Sequence, residues 1–181
     1  MRRAATLFAS AVLSVGVATW AGCNTDKSLS TEDREVASLR EVTAAFQDFN
    51  AAKTAGWSSE ITPCMTDPAG GMGFHYGNTN LIDSTLRVED PELLLYEPDA
   101  TGAKHLVAVE YIVPYTAHAR SAAPPVLFGQ PLKQVDAFQL WGLHVWVWKD
   151  NPSGLFADWN PTVSCGSAAN VTTMTMRPPL K

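Results

Sequence analysis

The sequence predicts an α+β fold, an N-terminal amphipathic helix packed on a mainly antiparallel β-sheet. Two observations carry this. One run with helical spacing opens the globular part, and several strand-like runs separated by turn clusters follow it, with no internal repeat. A β-sandwich with an N-terminal helix satisfies the same pattern and is the alternative.

The helix begins at Ser30-Thr31-Glu32-Asp33, where Ser30 or Thr31 supplies the N-cap and the acids favour the positive end of the helix dipole. Val36, Leu39, Val42, Phe46 and Phe49 follow at spacings of three and four, one apolar stripe. Ala44, Ala45, Ala51 and Ala52 support it, Gly56 ends it, and Trp57 packs just beyond. A glycine-rich turn over Pro68–Gly73 then leads into a short strand, Phe74-His75-Tyr76. Leu93–Tyr96 and His105–Val113 form a hairpin across the turn cluster Glu97–Gly102. On the second of these, alternation puts Val107, Val109, Tyr111 and Val113 on one face and Leu106, Ala108, Glu110 and Ile112 on the other. Both faces are largely apolar, as in a central, buried strand.

Tyr115–Asp136 is rich in proline, alanine and polar residues and reads as a long loop covering part of the sheet. Phe138–Trp148 is the last clear strand. Leu140, Gly142, His144, Trp146 and Trp148 share one face, and Trp141, Leu143, Val145 and Val147 the other. Asn151-Pro152-Ser153-Gly154 is a turn. The acidic neighbours Glu89, Asp90 and Glu92 around Pro91 read as a solvated loop. The resulting organisation is a single globular domain over 30–165 and a loose tail over 166–181.

The first 22 residues differ in kind. Arg2 and Arg3 precede an apolar run from Ala4 to Trp20, followed by Ala21-Gly22-Cys23, the layout of a secretory signal peptide. A cysteine directly after two small residues resembles a bacterial lipoprotein signal, in which Cys23 is lipidated and becomes the N-terminus, with 23–29 as a tether. Trp20 departs from the aliphatic residue usual at its position. An ordinary cleaved signal and an uncleaved anchor are the alternatives. The lipoprotein reading places the domain outside the cytoplasm, anchored to the bacterial cell envelope through the lipid on Cys23; a secreted soluble protein follows from the second. Removing the signal leaves 11 basic residues against 18 acidic ones, taking the formal charge from −5 to −7. An acidic chain without basic clusters argues against nucleic acid as partner. In an oxidising compartment the two remaining cysteines, Cys64 and Cys165, read as a disulfide; a nucleophilic or metal-binding thiol is the alternative.

The sharpest functional constellation is His75, Glu110 and His144, each mid-strand among apolar neighbours. Buried polar groups are costly unless paired, so such groups usually meet one another. Two imidazoles and a carboxylate suit a divalent metal or an acid–base pair, while a hydrogen-bonded structural network is the plainer reading. Tyr76, Trp146, Trp148, Asn151 and Trp159 are further candidates for lining a ligand pocket, with core packing and turn capping as their structural alternatives. No hydrolase elbow or phosphate-cradling glycine loop is present.

Leu143-His144-Val145-Trp146-Val147-Trp148, then Asn151-Pro152-Ser153-Gly154-Leu155-Phe156, then Trp159-Asn160-Pro161 and Cys165 resemble the signature of a family of uncharacterised secreted bacterial proteins. Gly71–Tyr76, Val109-Glu110-Tyr111 and Leu127–Pro131 are similar to further segments of that family. The resemblance spans roughly Pro63–Cys165 and implies no activity. The sequence therefore points to an extracytoplasmic, membrane-tethered module that binds a small molecule or protein. A metal-dependent or acid–base enzyme using His75, Glu110 and His144, and a structural envelope lipoprotein, are the alternatives.

Overall fold

The computed structural model describes residues 29–166 and the backbone of Thr172–Thr173. The expected signal peptide, Cys23, most of the tether and nearly all of the C-terminal tail lie outside the described residues. No helix among the described residues is long and apolar enough to cross a membrane.

Helix α1 spans Thr31–Thr43 and opens on a reciprocal capping box. The Ser30 hydroxyl accepts from the Asp33 backbone N–H at 3.0 Å, and the Asp33 carboxylate accepts from the Ser30 N–H at 3.1 Å. The single helix expected from the apolar stripe is broken. It tightens to a 3₁₀ turn over Ala44–Gln47, stops at Asp48, and restarts as α2 over Phe49–Thr54. Asp48 is the cause: its carboxylate caps α2 by accepting from Asn50 N–H at 2.8 Å, a role aspartate prefers to a helix interior.

The strands are β1 (Ser59–Asp67), β2 (Gly70–Gly77), β3 (Leu93–Pro98), β4 (Lys104–Pro114), β5 (Val126–Leu127), β6 (Gln130–Pro131), β7 (Lys133–Val135), β8 (Leu140–Val145) and β9 (Thr172–Thr173). Seven form one sheet in the order β7-β8-β4-β3-β2-β1-β9, antiparallel except for β9 beside β1, and β5 and β6 make a separate hairpin. The fold is α+β, and no second sheet forms a sandwich among the described residues. Three segments depart from expectation. The stretch 115–136 is not all loop, since it carries the small hairpin and β7. The tail contributes β9. Strand β1 had no recognisable period.

The helices cover one face of the sheet. Leu39, Ala52 and Trp57 pack there with Leu94, Tyr96, Val109, Tyr111, Val113, Leu143 and Val145. Polar groups fix the docking: Tyr96 donates to the Phe46 carbonyl at 2.8 Å, Trp148 Nε1 to the Thr43 hydroxyl at 3.0 Å, and Arg40 Nε to the Val147 carbonyl at 3.0 Å. The opposite face carries a smaller core of Leu93, Leu95, Val107, Ala108, Ile112, Trp146 and Val163. The C-terminal segment closes over it. It is held by a pair of backbone hydrogen bonds between Gly71 and Asn160, each 3.0 Å, and by the Cys64–Cys165 disulfide. The disulfide expected from cysteine count and compartment is present.

Simple alternation along β4 fails at one point. Leu95 pairs with Ala108 but Tyr96 pairs with Leu106, so Val107 is an extra, bulged residue. Val107 thus joins Ala108 on the second face, and Leu106 joins Val109 on the helix face, the reverse of the expected assignment. The Val107 carbonyl then accepts from the N–H groups of Trp148 and Lys149, drawing the chain out of strand geometry after Val145.

Glu92 corrects another expectation. Far from lying in a solvated loop, it is 1 % exposed. Strand β3 begins at Leu93, opposite Glu110, which leaves β4 beyond that point without a strand partner on this side. The Glu92 carboxyl accepts from the Ile112 N–H at 3.1 Å and fills the vacancy. Burial, only partly offset by hydrogen bonds to backbone N–H groups, pushes its pKa up to about 8. A folded pKa above the unfolded one means stability present at low pH and lost as pH rises toward 8. Glu92→Gln keeps a carbonyl for Ile112 and does not ionise. Its melting temperature should match wild type near pH 4.5 and exceed it increasingly up to pH 8, measured by calorimetry across that range. Parallel curves would show that Glu92 does not titrate on unfolding.

Candidate functional site

His75, Glu110 and His144 come from three strands and meet on the second face of the sheet. Glu110 and His144 are direct cross-strand partners on β4 and β8, while His75 lies on β2, with β3 between. Glu110 reaches past Leu93, its partner on β3. Gly142 leaves room for the carboxyl, since a Cβ there would stand 2.9 Å from Glu110 Oε1. All three residues are buried, at 3 %, 7 % and 6 % exposure.

The donor atoms lie within 4.8 Å of one another. His75 Nε2 is 3.6 Å and His144 Nε2 3.8 Å from Glu110 Oε2, both too long for a hydrogen bond. His75 is oriented from behind by Thr62 on β1, whose hydroxyl is 2.7 Å from Nδ1. The His144 ring stacks on Trp146 at an interplanar angle of 14°, and its Nε2 is buried with no hydrogen-bond partner among the described residues. Burial disfavours charge on every member. It lowers both imidazole pKa values, helped at His75 by its proximity to His144 and at His144 by Lys133, and it raises that of Glu110, helped by Asp158 and Glu92. Burial thus favours a neutral acid facing two neutral imidazoles over an ion pair.

These groups form the floor of a cleft of about 800 Å³. One wall is Ile61, Thr62, Met65 and Met72 from β1 and β2, and the other runs along 133–140 through β7 and the turn into β8. In a flat sheet β1 and β7 would stand five strand spacings apart, roughly 24 Å, so their meeting across one cleft requires the sheet to curl around this face. The walls are mainly apolar, and two exposed hydrophobic residues, Ile61 and Phe138, stand among them. Lys133 and Asp158, paired at 2.7 Å, add a charged edge.

Of the residues singled out in the sequence, His75, Glu110, His144 and Trp159 line the cleft. Four do not. Tyr76 points to the helix face, donating to Glu60 at 2.7 Å and packing on Phe49, because neighbours along a strand face opposite ways. Trp148 lies on that same face, so it shares no surface with Trp146. Trp146 sits behind His144 and donates to the Ala157 carbonyl at 2.6 Å. Asn151 is used in its own turn, donating to the Trp159 carbonyl and accepting from Ser153 N–H. Thr62, Gly142, Ile61 and Phe138 were not anticipated. Thr62 and Ile61 lie on the strand without a period, but Gly142 was readable, two residues from His144 on the same strand face.

Fold and site together define an α+β domain whose curled sheet encloses an apolar cleft with an ionisable floor. No family model, curated protein or solved structure matches the chain.

Proposed function

We propose that the protein is a membrane-tethered extracytoplasmic domain that binds a small amphiphilic ligand, its apolar body between the cleft walls and its polar head on His75, Glu110 and His144. The observation that carries this is the Nε2 of His144, which has no hydrogen-bond partner among the described residues and is buried at the floor of an apolar cleft. A fold that served only as scaffold gains nothing from leaving that nitrogen unpaired, since each such group costs about 1–3 kcal/mol. The cleft volume also lies within the range of small-molecule sites, which combine apolar walls with a few convergent polar groups.

The full-length chain titrated with dansyl-labelled undecanoic acid should give saturable, blue-shifted fluorescence at one site per chain. Ile61→Arg with Phe138→Arg puts charge among the apolar walls at two solvent-exposed positions and should weaken binding about tenfold or more, roughly 1.4 kcal/mol or above. Absence of saturable binding, or equal affinity in the double variant, would sink the reading.

A further inference from the structure

Three donors face one another in this floor with a gap between them that no hydrogen bond bridges. We infer that His75 Nε2, Glu110 Oε2 and His144 Nε2 form a binding site for one divalent transition-metal ion of the zinc type, with its remaining coordination positions open to the cleft. This rests on the ligand-binding reading of the same cleft and names what would hold the ligand's polar head.

The chemistry of the donors selects the ion. Two imidazoles and one carboxylate form the set used by zinc and other first-row divalent ions in sites that keep open positions, whereas calcium and magnesium call for oxygen donors. Zinc lies about 2.0–2.2 Å from such atoms, which puts tetrahedral ligands ~3.3 Å apart. The separations of 3.6 and 3.8 Å to the Glu110 oxygen need a closure of a few tenths of an ångström. The two histidine nitrogens, with all three donors within 4.8 Å of one another, would have to draw together further, by rotation of the rings toward the ion. The His144 nitrogen independently has no partner among the described residues and is buried at this point. The surroundings also behave as the outer shell of a metal site. Thr62 holds His75 by the nitrogen remote from the gap, and Trp146 fixes the plane of His144. The other cysteine and histidine side chains of the described domain are engaged elsewhere. Cys64 and Cys165 are joined to each other, His105 pairs with Asp99 on the surface, and His118 contacts the Ala123 carbonyl.

The test is a calorimetric titration of the full-length protein, stripped with EDTA and then titrated with Zn²⁺, alongside His144→Gln and Thr62→Val. Each variant's fold is checked by circular dichroism and thermal melting. Wild type should take up one zinc per chain with a Kd of about 1 μM or tighter. His144→Gln should bind at least ~100-fold more weakly, and Thr62→Val, which leaves all three donors in place, about 10–100-fold more weakly. Co²⁺ in place of zinc should give a visible absorption that His144→Gln abolishes. If His144→Gln does not fold, Glu110→Gln serves for the same comparison. No zinc uptake by folded wild-type protein, or uptake unchanged in the folded donor variant, overturns the inference. The dansyl titration is run on the stripped protein as well. Saturable probe binding without zinc uptake leaves the amphiphile reading standing and removes this one; zinc uptake without probe binding does the reverse.

Discussion

Replacing Cys64 and Cys165 together by serine should lower the unfolding free energy by about 4–5 kcal/mol, the loop-closure value for a cross-link spanning ~100 residues. The bridge joins positions 101 residues apart, Cys64 on β1 and Cys165 at the end of the segment that covers the second face. Without it the unfolded chain gains freedom, while the folded chain keeps the Gly71–Asn160 hydrogen bonds and the packing of Val163 and Trp146. The double variant should therefore still fold, with a urea midpoint well below that of wild type. Reductant added to the wild-type protein should reproduce the shift. A loss below about 1 kcal/mol would mean that the denatured chain is already compact enough to hold these ends near each other.

Gly73→Ala should cost about 2–5 kcal/mol, with two separable causes. The backbone at Gly73 has φ +89°, a conformation that strains any residue with a Cβ by roughly 1–2 kcal/mol. That Cβ would also stand 2.5 Å from the Tyr96 carbonyl oxygen, and the backbone of a central strand cannot move aside without a cost of about 1–3 kcal/mol. Gly102→Ala provides the control. Gly102 has φ +85° in the turn between β3 and β4, with nothing within 4 Å of a built Cβ. It should show the conformational strain alone. Equal losses in the two variants, measured by urea unfolding, would show that the close approach of β2 and β3 at Gly73 carries no energy.

Much of this architecture was legible wherever the physics is local. The helix N-cap, the apolar stripe, the turn clusters and the buried character of β4 are all written at fixed short spacings. The three ionisable residues stood out because each interrupts an apolar strand, and that anomaly survives any error in element boundaries. Their convergence was not legible, because it depends on strand order and on the curl of the sheet. Tyr76 adjoins His75 in the sequence and suggests a shared pocket, but strand geometry sends adjacent side chains to opposite faces. The Val107 bulge and the departure of the chain after Val145 were invisible because both depend on which strand lies alongside. Strand β1 is not legible because Pro63 and several polar residues erase its period. Its place near the sheet's edge and its irregular register with β2 are what tolerate them.

The irregular register of β1 against β2 has a consequence for the width of the cleft. The cleft's two walls belong to opposite ends of one continuous sheet, so its calibre is a property of backbone curvature rather than of the side chains that line it. The pairing slips between Glu60 and Thr62, between Thr62 and Met65, and again between Met65 and Thr66, all beside the residues of one wall. Each slip bends the strand and adds twist. An insertion or deletion there would widen or narrow the mouth while leaving every residue of the opposite wall unchanged. Two chains with the same floor of histidines and glutamate would then carry clefts of different girth above it.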